Sequence, residues 1–146
     1  MLIVQPSANA RLVEAWPYEK LTKHSDLIVI AVPLKTKASA ERVDFDRGTG
    51  AYLQAVVTTF AVKAKLKGEC GATIDVVHYQ LKFEPKKLGV IEDAPNTLSF
   101  DVELGDKAER DYCLFLKATK DKQFGFVSGR DDPQFSVREL RPAKVK

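Results

Sequence analysis

The side chains that most readily do chemistry are few in this chain and stand apart. The 146 residues contain two histidines, His24 and His78, and two cysteines, Cys70 and Cys113. A catalytic or metal centre needs several such groups to converge, and no motif supplies convergent partners for either histidine. His24 falls near the end of a short predicted helix, where it can interact with the last carbonyls. His78 lies in a predicted strand beside Tyr79. The cysteines have no CxxC spacing and no neighbouring histidine, so they form no zinc motif. Cys113 reads as a small apolar residue of a strand and Cys70 as a turn residue. A disulfide would need their Cβ atoms about 3.5–4.5 Å apart, a distance that sequence does not fix. No serine has a nucleophile-elbow context, and no glycine-rich segment has P-loop or dinucleotide-binding spacing. Asp131-Asp132 before Pro133, and Glu92-Asp93, are adjacent carboxylates of the kind turns use rather than a cation site. The expectation is no catalytic residue, no metal ligand and no cofactor.

Two groups remain as binding candidates. Lys63, Lys65 and Lys67 alternate along one predicted strand and fall on one face. A basic strand face binds oligonucleotides when aromatic rings are interleaved to stack bases. Here the interleaved outward residues are Thr59 and Ala61, and Phe60, Phe100 and Tyr112 are expected to face inward. A lysine face also keeps a sheet edge soluble. Trp16 and Tyr18, on either side of Pro17, line a groove or anchor the chain's first segment on the core.

The elements that must position these residues are mostly strands. Pro17 starts a short helix over Tyr18–His24 with Leu21 inward. Leu27 to Val32 is a β-branched run, a buried strand that bends or meets an edge at Pro33. Glu41 to Gly50 reads as a loop. From Ala55 to Lys67, Val56, Thr58, Phe60, Val62, Ala64 and Leu66 alternate with Thr59, Ala61 and the three lysines, a long strand with one wet face. Gly68 to Gly71 turns the chain into a partner strand, Ala72 to Leu81. The inward set there starts with Ile74 and Val76 and shifts to Val77, Tyr79 and Leu81, which predicts a bulge near Val76. Leu98 to Leu104 alternates as a further strand, Tyr112 to Leu116 is dense enough to be central, Phe124 to Val127 is short, and Phe135 to Leu140 is the last. Six to seven short strands and one N-terminal helix suit a mainly β fold. The expected form is a small antiparallel, OB-fold-like β-barrel, with a β-sandwich as the alternative.

The composition fits one domain: 45% of residues are hydrophobic and 29% charged, an ordinary globular balance. We expect residues 11–141 to form it, with a flexible start or signal-peptide remnant over 1–10 and a basic tail over 142–146. Ala8-Asn9-Ala10 has the form that signal peptidase cuts after, following Leu2-Ile3-Val4. If Leu2 to Ala10 is the end of a longer signal peptide, the mature protein starts near Arg11 and is periplasmic or secreted; otherwise it is cytoplasmic. The longest apolar run, Leu27 to Leu34, falls short of the ~18 residues a spanning helix needs. The net charge of +3 and a pI near 8.8 lie below the usual range for nucleic-acid domains, above about 9.

Three segments carry a resemblance. They are Arg11-Leu12-Val13-Glu14-Ala15-Trp16-Pro17-Tyr18 running to Ser25-Asp26-Leu27-Ile28-Val29-Ile30, then Thr58-Thr59-Phe60-Ala61-Val62 with Leu66-Lys67-Gly68-Glu69, and Tyr112-Cys113-Leu114-Phe115-Leu116-Lys117 with Phe126-Val127-Ser128-Gly129 and Asp132-Pro133 to Arg138. Together they resemble small exported bacterial β-domain proteins, and their order is similar to that of OB-fold or netrin-like barrels. The resemblance implies a fold and export, and no reaction. Netrin-like metalloprotease inhibitors place an N-terminal cysteine on the protease zinc; no cysteine lies near either start here, so that mechanism is not implied. The functional expectation is a non-enzymatic exported accessory domain that binds a protein or small ligand. The alternative is a nucleic-acid-binding OB-type module.

Overall fold

A computed structural model describes residues 15–44, 51–83, 110–119, 121–130 and 132–140. Helix α1 spans Tyr18–His24, and six strands follow: β1 Leu27–Asp44, β2 Ala51–Lys67, β3 Thr73–Phe83, β4 Asp111–Ala118, β5 Phe124–Phe126 and β6 Val137–Leu140. The fold is mainly β, and all six strands belong to one sheet, ordered β1-β2-β3-β5-β4-β6. β1 also pairs with β4 over Leu27 to Ala31. The pairings β1-β2-β3-β5-β4 therefore return to β1.

The sheet is mixed, not antiparallel throughout: β3 and β5 run parallel, Val76 opposite Phe124 and Val77 opposite Gly125. A parallel pair cannot be joined by a hairpin. Its two strands come from distant parts of the chain, and local pattern does not reveal it.

β1 owes its place to being apolar on both faces. Leu27, Val29 and Ala31 join Phe60, Ile74, Val76, Leu114, Leu116 and Phe126 in one buried cluster, to which all five strands of the ring contribute. Ile28, on the other face, packs with Leu21 of α1 and Phe115, and Trp16, Cys113 and Val127 close around them. The expected central strand is β4, flanked by β1, β5 and β6.

Ser25-Asp26 joins the helix to this strand. The Ser25 hydroxyl donates to Leu21 O at 2.6 Å, the same carbonyl that accepts the Ser25 N–H at 3.0 Å, so Ser25 closes the last turn of the helix twice over. The Asp26 N–H donates to Leu116 O at 2.8 Å, and its carboxylate accepts the Ala118 N–H at 2.9 Å. Gly68 turns β2 toward β3 against the same residue. Its φ is +81°, and a Cβ there would stand 2.3 Å from Asp26 O.

Register irregularities fall between β1 and β2. β3 pairs with β2 without a break from Ala51–Phe83 to Ala61–Thr73, so the bulge expected near Val76 is absent. The inward set of β3 continues as Ile74, Val76 and His78, a buried histidine where we expected Val77, Tyr79 and Leu81 to turn in. The extra residues lie elsewhere. Ile28 faces Lys67 and Val29 faces Lys65, which leaves Leu66 unpaired. Ile30 faces Ala64 and Ala31 faces Val62, which leaves Lys63 unpaired. Leu66, expected inside, is 60% exposed for that reason. On β1, Leu34 is the extra residue just after Pro33, and Ser39 to Glu41 form a longer irregularity opposite Ala55. The Gln54 side-chain amide spans this last one, donating to Ser39 O and, at 3.0 Å, to Glu41 O. β1 thus continues to Asp44 through residues expected to begin a loop. The expected last strand is shorter: Pro133–Ser136 is a 3-10 turn ahead of β6, as a proline in its first position allows.

Residues 1–14, the Leu98 to Leu104 strand, Phe100, Gly48, Gly50, Glu92, Asp93, Asp131 and the 142–146 tail lie outside the described residues. No helix among the described residues is long and apolar enough to cross a membrane.

Leu114 is fully buried, so Leu114→Ala should lower stability by about 2–5 kcal/mol, whereas Leu66→Ala should stay within about 0.5 kcal/mol. Gly68→Ala should cost more than about 1–2 kcal/mol from the left-handed backbone alone. Urea unfolding of the three variants checks the set, and equal losses at Leu66 and Leu114 would contradict the register.

Candidate functional site

β3 and β5 pair over two residues only and then part. A cleft of about 140 Å³ opens where they separate, lined by Val77, His78 and Tyr79 of β3, Gly125 and Phe126 of β5, and Thr119, Gly129, Arg130 and Pro133 from the adjoining turns. The His78 and Phe126 rings lie 6.0 Å apart, tilted by 56°, and both are buried.

His78 is held from within the sheet. Its Nε2 lies 2.7 Å from Thr58 Oγ1, which lies 2.6 Å from Thr36 Oγ1. The chain of polar atoms crosses β3, β2 and β1, and Thr58 is fully buried. In a low-dielectric interior such bonds fix a ring's orientation, because breaking one leaves a buried polar atom.

The turn carrying Arg130 is fixed as firmly. The Ser128 N–H donates to Ser136 Oγ at 2.9 Å, the two serine hydroxyls lie 2.6 Å apart, and Ser128 Oγ donates to Asp132 O at 2.7 Å. Ser136 is fully buried. Gly129 sits at φ +99° and donates its N–H to Phe126 O at 3.0 Å, a left-handed turn that glycine makes without strain. On the other side, Thr119 closes a turn with Gln123: its N–H and its hydroxyl both donate to Gln123 O, at 2.8 and 3.0 Å.

Tyr79 stands at the rim. Its hydroxyl donates to Glu41 Oε1 at 3.3 Å, so the part of β1 that we expected to be a loop supplies a wall contact. Burial pushes the phenol above the ordinary tyrosine value; the Glu41 charge and the hydrogen bond to it push the same way, and Arg130 opposes them.

Gly125 leaves the cleft open. Its backbone does not require glycine, and a Cβ there would meet nothing nearer than Thr119 Cγ2 at 3.8 Å. Glycine inside a strand weakens it and often marks a place where another group approaches closely.

None of the five residues singled out from sequence lines this cleft. Trp16 packs against the Leu21, Ile28 and Phe115 cluster, with Lys20 Nζ 4.0 Å from its ring centre and His24 edge-on at 5.9 Å. Tyr18 is 58% exposed, tilted on Phe115 and faced by the Arg138 guanidinium at 5.0 Å. Lys63 pairs with Asp111 at 2.8 Å and Lys65 with Glu69 at 3.4 Å. Lys67 donates to Thr22 O at 2.7 Å. The two register irregularities also divide the lysines, since Lys65 stands opposite Val29 and Lys67 opposite Ile28. Those strands' inner and helix-facing residues alternate there.

Cys70 and Cys113 are free thiols. Burial pushes the Cys113 thiol up, against the opposing charge of Arg138, which keeps it protonated and weakly reactive. No group of three or more histidine, cysteine or acidic residues gathers at metal-binding range among the described residues. The cleft residues that sequence reasoning passed over carried one usable signal: Gly125 between Phe124 and Phe126 in an otherwise apolar strand.

No protein family, curated protein or solved structure matches this chain.

The Tyr79 environment sets a pH dependence. A folded-state pKa above the unfolded value favours the neutral phenol, a contribution present below about pH 10 and lost as pH rises through the folded value. Relative to Tyr79→Phe, the parent should lose stability as pH climbs beyond about 10. Urea unfolding of both proteins at stepped alkaline pH checks this, and parallel curves would contradict it.

Proposed function

We propose that the protein is a non-enzymatic binding domain, an exported accessory protein built on an OB-type barrel, and that the β3–β5 cleft is its ligand site. The single observation carrying the site is the cleft itself. It is lined by His78 and Tyr79 of β3, Phe126 and Arg130, and is left open by a glycine whose backbone does not need to be one. Ligand sites are mostly apolar concavities with a few fixed polar groups, and here both polar walls are tied down, His78 through Thr58 and the Arg130 turn through Ser136.

The barrel reading is supported by the strand order. Pairing runs β1-β2-β3-β5-β4 and back to β1, with a long first strand shared between β2 and β4. We read this order as that of a five-stranded Greek-key barrel, a form that binds ligands on its second and third strands and adjoining loops. The cleft lies against the third strand. Such a scaffold also serves oligonucleotide binding, but Lys63 and Lys65 are ion-paired and Lys67 is engaged by the helix end, so the cleft is the better-supported surface.

The cleft's mostly apolar lining suits a small planar apolar group. Phenylacetate should shift the amide resonances of Val77, Gly125 and Gly129, and Gly125→Leu should abolish those shifts without lowering the melting temperature. Shifts produced instead by an oligothymidylate at Lys63, Lys65 and Lys67, weakening steeply with salt, would move the reading to nucleic acid.

The export part of the proposal rests on Ala8-Asn9-Ala10. Mass spectrometry of the native protein should find an N-terminal peptide starting near Arg11 outside the cytoplasm; an intact Met1 in the cytosol would overturn it.

A further inference from the structure

The ring of strands is closed unevenly. β2 and β3 pair from Ala51–Phe83 to Ala61–Thr73, and β1 and β4 from Leu27–Leu116 to Ala31–Tyr112. β3 and β5 pair only at Val76–Phe124 and Val77–Gly125. This seam is parallel, an arrangement slightly less stable per residue than an antiparallel one. One of its four residues is Gly125, and a glycine weakens the strand that holds it.

A cleft lies at each end of the seam. The one described above, of about 140 Å³, begins at Val77 and Gly125. At the other end a second, of about 280 Å³, is lined by Thr73, Ile74 and Asp75 of β3, by Lys122 and Phe124 on the β5 side, and by Cys70. Sites for drug-sized molecules run to about 300–1,000 Å³. Each cleft alone falls short of that range, and the two joined would enter it. What separates them is the two-residue seam.

The closing side of the seam is built as a flap. β4 pairs with β1 as far as Leu116, and Lys117, Ala118 and β5 extend beyond that anchor. The base of the flap is tied where the Val127 N–H donates to Phe115 O at 3.1 Å and where the Asp26 carboxylate accepts the Ala118 N–H at 2.9 Å. β5 is held to β4 from Leu116–Phe126 to Ala118–Phe124. Parting β5 from β3 breaks none of these bonds. It does withdraw Phe124 and Phe126 from the buried cluster they pack in, which keeps the closed form the major one. Resting on the cleft as the ligand site, we propose that the β3–β5 seam is a gate. The flap swings from β3, the two clefts become one groove along β3, and the ligand that fills it is an elongated, mainly apolar molecule of more than one ring. The closed cleft admits a single ring. A ligand that binds only the open form draws the equilibrium toward it.

Hydrogen exchange followed by NMR on the full chain tests the gate, with the uncharged fluorophore N-phenyl-1-naphthylamine as the ligand. Amides bonded across β3 and β5 should exchange at least a hundredfold faster than those bonded between β1 and β2, since local opening precedes global unfolding. A disulfide between Val77→Cys and Gly125→Cys, in a Cys70→Ala and Cys113→Ala background, locks the seam. Oxidation should slow the seam amides at least tenfold and weaken the fluorophore at least tenfold, relative to the same chain reduced. Gly125→Ala needs no oxidation and has room for its Cβ; it should slow the seam amides several-fold. Seam amides that exchange as slowly as those of β1 and β2 in the parent, or that neither change slows, overturn the gate. So does a fluorophore that binds oxidised and reduced chains alike, or neither. In each of those cases a phenylacetate shift at the Gly125 amide of the parent leaves the cleft as the ligand site, and the lack of that shift overturns the cleft as well.

Discussion

The structure depends on one strand being paired twice. Between Leu27 and Ala31, β1 bonds to β2 on one side and β4 on the other, which closes the pairing ring. The core lies under one face of this stretch and α1 with Phe115 over the other, so both sets of alternate residues are apolar. Leu27, Val29 and Ala31 serve the cluster shared by five strands, and Ile28 serves the cluster under the helix. The Ser25-Asp26 pair just ahead makes this placement cooperative. One residue ends the helix, and the other bonds to Leu116 and Ala118 at the end of β4 while Gly68 lies close against its carbonyl. The helix, β4 and the β2–β3 turn are thus set by two consecutive residues at the entry of one strand.

Closing so small a sheet requires curvature, and the irregularities between β1 and β2 supply it. An extra residue in one strand bends it and raises its twist. Lys63 and Leu66 are the extra residues on β2, and Leu34 and the Ser39–Glu41 stretch are those on β1. β3, by contrast, follows β2 without a break. Its regularity keeps Ile74, Val76 and His78 on the inner face and carries Tyr79 to the rim beside Glu41. The bends in one pair and the straight register in the next together bring the distal part of β1 to the cleft.

Much of this was legible as alternation. Leu114 and Leu116, Ile74 and Val76, and Phe60 with Thr58 show their inward face in sequence because each faces core on one side only. The helix over Tyr18–His24, the Gly68 turn and the central place of β4 were legible for the same kind of local reason. Leu66 was not, because its neighbours alternate well and only the partner strand's register reveals the extra residue. Glu41 to Asp44 looked like a loop because a polar edge has no hydrophobic signature. The cleft was the least legible part. It is created by two strands that pair in parallel over two residues and come from distant segments, and nothing local records where they part. Phe124-Gly125-Phe126 alone hinted at it.

The polar core residues follow from the same geometry. Where strands diverge, the interior is less completely covered, and an apolar ring at position 78 would remove one of the two hydrogen-bond partners of the buried Thr58 hydroxyl. A histidine accepts or donates to Thr58 through one ring atom while presenting its ring to Phe126. Thr58 in turn meets Thr36 on β1. This buried polar chain therefore reaches the point where the sheet opens, and it orients His78, which lines the cleft. Opposite it, the Ser128–Ser136 contact does the same for the turn that holds Arg130. Packing alone would have let both walls relax into the gap. Hydrogen bonds that are costly to break in a dry interior hold them apart, and a strand glycine with room for a side chain keeps the space between them empty.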